Sequence, residues 1–194
     1  MRDNMSYYNQ NAKEFFDGTI NVNMASLYGE FLPLVKKGGL ILDAGCGSGR
    51  DAKAFKVLGF RVHAIDASEE LAKLAEQVIN QPVHVTTFQQ FKSQESFDAV
   101  WACASLLHVP FSELPGSIQK LSTSLKNNGV FYCSFKYGYD EIERNGRRFT
   151  NLNESLLQTV LSGLPLRTAK TWLTSDLREG RDNEKWLNAI LIKG

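Results

Sequence analysis

An apolar run that ends in an acid and passes directly into a glycine turn, Leu40-Ile41-Leu42-Asp43-Ala44-Gly45-Cys46-Gly47-Ser48-Gly49, constrains this chain more than any other segment. Leu40 to Leu42 suit a strand covered on both faces, and Gly38-Gly39 marks where it begins. The glycines at 45, 47 and 49 let the backbone turn tightly and approach a ligand where a Cβ would collide. Arg50 to Leu58 follows with good helix formers, and Ala54, Phe55 and Leu58 share one face. Strand, glycine loop and helix in that order make a nucleotide-handling turn.

The ordering then repeats. Phe60 to Asp66 reads as a second strand that ends in an acid, about twenty residues beyond the loop, where a carboxylate can accept hydrogen bonds from ribose hydroxyls. Ser68 is the N-cap of the next helix. Glu69 and Glu70 fill its first turn, Leu71, Leu74, Ala75 and Val78 form its buried stripe, and it ends near Asn80, before Pro82. Val83 to Thr87 and Phe97 to Cys103 are further strands, and Ser112 to Lys126 is a helix closed by a turn at Asn128-Gly129. Val130 to Lys136 is the fifth strand. A helix from about Asn153 to Ser162 and strands at Leu166 to Thr174 and Lys185 to Ile192 complete the pattern, with another helix near the start, from about Asn23 to Val35. The polar segment Asp176 to Asn183 is a hairpin loop, too short for the crossover that another parallel unit would need.

With 194 residues, 43% of them hydrophobic, the chain suits a single domain over 1–194, with residues 1–37 as an amino-terminal cap segment and helix. A net charge of +1 gives no support for general nucleic-acid binding. No apolar run approaches the roughly twenty residues of a membrane span, and the first residues lack the apolar core of a signal peptide. A cytoplasmic location is expected, with no membrane partner. Cys46, Cys103 and Cys133 fall in no metal-binding spacing and read as reduced, partly buried thiols. No oligomeric state is legible.

Leu42-Asp43-Ala44-Gly45-Cys46-Gly47-Ser48-Gly49, with Asp66 ending the next strand and Phe97-Asp98-Ala99-Val100-Trp101 beyond it, resembles the class I S-adenosylmethionine-dependent methyltransferases. The dinucleotide fingerprint fits less well, because Arg50 stands where its third glycine belongs. The resemblance covers nearly the whole chain. It implies a three-layer α/β, Rossmann-like methyltransferase fold whose mostly parallel seven-stranded sheet has an antiparallel last strand. The stretches around Gly45 to Asp51, Phe135 to Gly138 and Arg144 to Phe149 look like the tellurite-resistance-like and general small-molecule branch.

The resemblance also implies S-adenosyl-L-methionine as cofactor and a place for each contact. The backbone of Gly45, Cys46 and Gly47 would approach the methionine moiety, Asp43 would orient it, and Arg50 belongs to the same loop. Asp66 would hold the ribose and Ala67 would lie against the adenine. Thr87 and Phe88 fall where the family places an acid followed by a backbone donor to the adenine edge, so Thr87 departs from the pattern. Ala102, Cys103 and Ala104 would offer carbonyls to the ammonium group, and Leu107 would pack near the sulfonium. Tyr8, within Tyr7 to Ala12, resembles the aromatic element that caps the cofactor in small-molecule methyltransferases, although a tyrosine packed on a helix fits equally.

Methyl transfer asks for positioning and desolvation more than covalent chemistry. Where the acceptor arrives protonated, His108 is the histidine placed at the pocket mouth to act as a base; a structural loop histidine is the alternative. His63 and His84 lie within strands. The acceptor is expected to be a small, possibly anionic molecule, because the loops on the glycine-loop edge are basic. Lys136, Arg147 and Arg148 are the candidate contacts. Acids interleave with these cations, so a salt-bridged lid is the competing reading. Of the aromatic residues there, Trp186 is the one placed to reach the mouth. Two other functions stay open at this point: an NAD(P)-dependent oxidoreductase, and a non-catalytic relative that only binds the cofactor.

Overall fold

The computed structural model describes residues 4–194 other than Glu179 and Asp182. Three short helices, α1 (Asn4–Gln10), α2 (Ala12–Thr19) and α3 (Ala25–Phe31), precede β1 (Leu40–Ala44) and α4 (Arg50–Val57). Then come β2 (Arg61–Asp66), α5 (Glu69–Ile79), β3 (His84–Val85), β4 (Phe97–Ala102) and α6 (Leu114–Thr123). The chain continues through β5 (Leu125–Lys136), a hairpin of β6 (Glu141–Arg144) and β7 (Arg147–Thr150), α7 (Glu154–Leu161), β8 (Leu166–Ser175) and β9 (Lys185–Lys193).

Seven strands form one sheet in the order β3-β2-β1-β4-β5-β9-β8, in which β9 runs antiparallel to both neighbours. The reversed strand enters through the hairpin expected at Asp176. Because the chain leaves β1 for β2 on one side and returns to β4 on the other, the strand order reverses beside the glycine loop. Such a reversal opens a crevice at the carboxyl ends of the strands.

Alternation along the central strands assigns the core. Leu42, Val100 and Phe131 face one layer with Leu107, Leu114 and Leu157, while Ile41, Trp101 and Tyr132 face the other with Phe31 and Phe55. Each fully buried side chain of this size contributes roughly 1.5–3 kcal/mol. Trp101 and Tyr132 stack across adjacent strands with ring centroids 3.9 Å apart and planes 14° apart. Helix starts follow the sequence: Ser68 Oγ accepts from the Leu71 N–H at 3.2 Å, and Asn153 Oδ1 accepts from the Leu156 N–H at 2.8 Å.

Several boundaries differ from the sequence expectations. The helix expected to reach Lys126 stops at Thr123, and β5 begins at Leu125, pairing with Phe97 before an irregularity in the ladder. Asn128, at φ 60, therefore bends a strand instead of ending a helix. The third strand shrinks to two residues, paired with β2 at the sheet edge. The helix expected from Asn23 to Val35 is α3 followed by a 3₁₀ turn at Leu32–Leu34. The β6–β7 hairpin stands where the sequence suggests only a basic loop. Its signal was Asn145-Gly146, both at positive φ, the pair favoured in two-residue hairpin turns.

Candidate functional site

A cavity of about 200 Å³ lies at the carboxyl ends of β1, β4 and β5. The glycine loop forms one wall with Gly45, Cys46, Gly47 and Arg50, and the segment after β4 adds Cys103, Ala104, Leu107 and His108. Tyr8, Phe15, Thr19 and Val22 come from the amino-terminal segment. Lys136, Arg147, Phe149, Trp186 and the β8–β9 hairpin line the far side. Of the other candidates, Asp43, Asp66, Ala67, Thr87, Phe88, Ala102 and Arg148 are not on its wall.

The loop is glycine where contact demands it. Gly45 has φ +83, and a Cβ there would stand 2.5 Å from the Ser105 Cβ; a Cβ on Gly47 would meet the Phe15 ring at 3.0 Å. Asp66 braces this loop: its Oδ2 accepts from the Gly47 N–H and its Oδ1 from the Ser68 N–H, both at 2.8 Å. Burial pushes the Asp66 carboxyl above its usual range against these backbone donors. Asp43, at the end of β1, is buried, and its Oδ2 has no hydrogen-bond partner among the described residues. Burial, then the neighbouring Asp51, raises its pKa. Phe88 packs near the loop, within 3.5 Å of the position a Gly45 Cβ would take, and the Thr87 hydroxyl accepts from the Gln90 N–H at 3.3 Å.

Sequence reasoning missed the anchor beneath the loop. Asp51 is buried and accepts from the Tyr28 hydroxyl at 2.6 Å, the Trp101 Nε1 at 2.8 Å, and Arg50 through Nε at 2.7 Å and Nη2 at 2.9 Å. Burial alone would raise its pKa, but the Arg50 charge and these donors hold it below the usual carboxylate range. No local pattern marks an acid in a first helical turn as buried, because such acids ordinarily face water.

His108 keeps part of its surface open to the cavity, yet desolvation pushes its pKa down to about 4. Its Nδ1 lies 2.9 Å from the Arg148 carbonyl, which only accepts, so Nδ1 carries the proton. Nε2 is then an acceptor and takes the Tyr8 hydroxyl at 2.8 Å. Both readings of His108 from sequence have a counterpart here: it reaches the cavity, and it holds structural hydrogen bonds on both nitrogens. Burial raises the Tyr8 pKa. Asn4 ties the same corner together, since its Nδ2 donates to the His108 and Arg148 carbonyls and its Oδ1 accepts from the Arg148 N–H at 2.8 Å.

The basic rim is largely paired. Lys136 donates to Glu184 at 2.6 Å, Arg144 lies 3.6 Å from the same carboxylate, Arg178 pairs with Asp176, and Arg148 lies 3.5 Å from Glu141. Trp186 Nε1 reaches Asp176 at 3.3 Å. Arg147 differs: its guanidinium stands over the Tyr7 ring at 4.5 Å and the Phe149 ring at 5.2 Å, with its Nε buried and without an acceptor among the described residues. Cys46 and Cys133 are buried and Cys103 half-buried, all free; burial pushes the Cys103 thiol up to about 12. No helix among the described residues is long and apolar enough to cross a membrane.

Residues 42–133 match the family model described as a methyltransferase domain. The chain is 30% identical over 137 residues to an uncharacterized protein of Methanocaldococcus jannaschii, an alignment covering 69% of this chain and 52% of that one. It is 33% identical over 104 residues to a ubiquinone biosynthesis O-methyltransferase of Xanthomonas campestris, covering 50% and 43%. The chain thus spans about half the length of these curated relatives. A solved structure of magnesium protoporphyrin IX methyltransferase from Synechocystis, with S-adenosylhomocysteine bound, superposes at a TM-score of 0.75 and 18% identity over 98% of each chain. The narrower likeness to the tellurite-resistance-like branch finds no support in these relatives. Residues 42–133 thus match a methyltransferase domain, and the chain as a whole shares the fold of a solved methyltransferase structure.

Proposed function

We propose that this chain transfers the methyl group of S-adenosylmethionine to a small-molecule acceptor. The observation that carries the reading is the lining of the cavity, which runs from the glycine loop to a separate wall of hairpin residues and so offers one side to a cofactor and the other to an acceptor. Bound there, the cofactor supplies a sulfonium that is already a good leaving group. The residues present fit it: the loop backbone from Gly45 to Gly47 can come close, and the buried Asp43 Oδ2 is an acceptor left open at the end of β1. Asp66 would hold the ribose, Ala67 would lie beside the adenine, and Ala104 and Leu107 would face the methionine end.

The protein's own work is to hold donor and acceptor in line and to keep water out. Tyr8 and Phe15 roof the loop, and Phe149 and Trp186 wall the opposite side. A near-neutral net charge favours a small molecule over a nucleic acid as acceptor. Calorimetric titration with S-adenosylmethionine, S-adenosylhomocysteine and NADH tests the reading. Selective binding of the two adenosyl-sulfur ligands supports it, whereas preference for NADH returns the chain to dinucleotide chemistry. Turnover with a panel of small acceptors separates an enzyme from a relative that only binds.

A further inference from the structure

We infer that the acceptor side of the cavity is an anion site organised by Arg147, so that the acceptor carries a carboxylate or phosphate; this rests on the methyl-transfer reading above. Charge pairing leads there. Around the cavity, Arg50 is held by Asp51, Arg178 by Asp176, and Lys136 and Arg144 share Glu184. Arg147 lines the same cavity and has no carboxylate partner among the described residues.

Its surroundings hold the guanidinium without neutralising it. The Tyr7, Phe149 and Tyr8 rings lie 4.5, 5.2 and 5.9 Å from the guanidinium carbon. Aromatic faces attract the cation through their quadrupoles but accept few of its hydrogen bonds. The nearby polar groups, the Tyr8 hydroxyl and His108, are uncharged, because Tyr8 donates to a neutral imidazole. Arg147 Nε remains buried with no acceptor among the described residues, a state that costs free energy unless a ligand supplies one. A guanidinium offers a planar fork of donors that fits a carboxylate or phosphate bidentately. The β6–β7 turn fixes the position of this fork, since Arg147 opens β7 directly after Asn145-Gly146.

The test uses the full chain saturated with S-adenosylhomocysteine and titrated calorimetrically with benzoate, phenyl phosphate and the neutral isostere benzamide. At least one anion is expected to bind about tenfold or more tightly than benzamide, as a charge-assisted bidentate pair requires. The tighter of the two identifies the anionic group. Arg147→Met, which keeps an apolar stem against the rings, should erase that preference, and Arg147→Lys should keep only part of it. Both variants should still bind S-adenosylhomocysteine, weakened by no more than the roughly tenfold that a loosened α1 accounts for, which also reports that they are folded. Absence of anion binding, equal binding of benzamide, or an unchanged preference in Arg147→Met overturns the assignment. So does a matching loss of S-adenosylhomocysteine affinity, which would give the guanidinium to the cofactor's own carboxylate. If the wild-type chain takes no S-adenosylhomocysteine yet binds benzoate through Arg147, the methyl-transfer reading falls and the anion site stands.

Discussion

Tyr8 and His108, 100 residues apart in sequence, meet Oη to Nε2 at 2.8 Å and close the cavity between the amino-terminal helix and the segment after β4. The Tyr8 hydroxyl donates to His108 only while the ring is neutral, because protonation makes Nε2 a donor. The unfolded imidazole titrates near 6.5, and the folded one is pushed down to about 4. Between those values the unfolded chain takes a proton that the folded chain refuses, so stability is full above about pH 6.5 and falls as the pH drops toward 4. The loss is on the order of 3 kcal/mol. His108→Asn keeps a donor for the Arg148 carbonyl and removes the titration. Urea midpoints of the two proteins should therefore converge as the pH is lowered across this window; a difference that does not change with pH would show that His108 is not held neutral.

Asp66 joins stability to binding. A carboxylate that served only the ribose could be removed at no cost to the fold. The Asp66 carboxylate instead receives the Gly47 and Ser68 N–H groups, so alanine strips two backbone donors of their acceptor. Each such loss costs about 1–3 kcal/mol where water cannot replace it. The expected result is a lowered melting temperature together with loss of S-adenosylhomocysteine binding. Full retention of the melting temperature would mean that solvent readily satisfies both groups.

The β-α-β pattern was legible because its signals are local. The glycines after β1, the Ser68 cap and the Asn153 cap each act within a few residues. The same holds for the hairpin at 176–184, where chain length alone excludes a crossover. The Asp51 anchor was not legible, because Tyr28, Asp51 and Trp101 are brought together only by packing α3 and α4 on one face of the sheet. Pairing across the rim was equally hidden. Lys136, Arg147 and Arg148 look alike in sequence, and only the fold gives Glu184 to the first, Glu141 to the third and aromatic rings to the second.

Asp51 is accordingly expected to be among the most sensitive positions for stability. Asp51→Ala leaves the Arg50 charge, the Tyr28 hydroxyl and the Trp101 N–H without their shared acceptor. Removing one member of a buried pair costs about 3–5 kcal/mol. Chemical denaturation should show a loss of that size, and Asp51→Asn a smaller one because the amide oxygen still accepts. A change below about 1 kcal/mol in Asp51→Ala would show that the anchor is as well solvated as a surface ion pair.

The amino-terminal segment should behave as a latch. Asn4 spans from α1 to the His108 and Arg148 carbonyls and the Arg148 N–H, while Asn9 at the other end of α1 accepts from the Ser68 hydroxyl at 2.7 Å. No residue of α1 is buried, so these polar contacts, together with Tyr7 under Arg147 and Tyr8 on His108, keep it in place. Elements secured this way open locally at a small fraction of the global unfolding free energy. Asn4→Ala should leave the global urea midpoint nearly unchanged and speed amide exchange in residues 4–10. Because Tyr8 and Phe15 line the cavity, S-adenosylhomocysteine should also dissociate faster, by about tenfold for the loss of one to two net hydrogen bonds. Exchange in α1 that stays as slow as in α5 would mean that the segment unfolds only with the whole protein and that ligand entry takes another route.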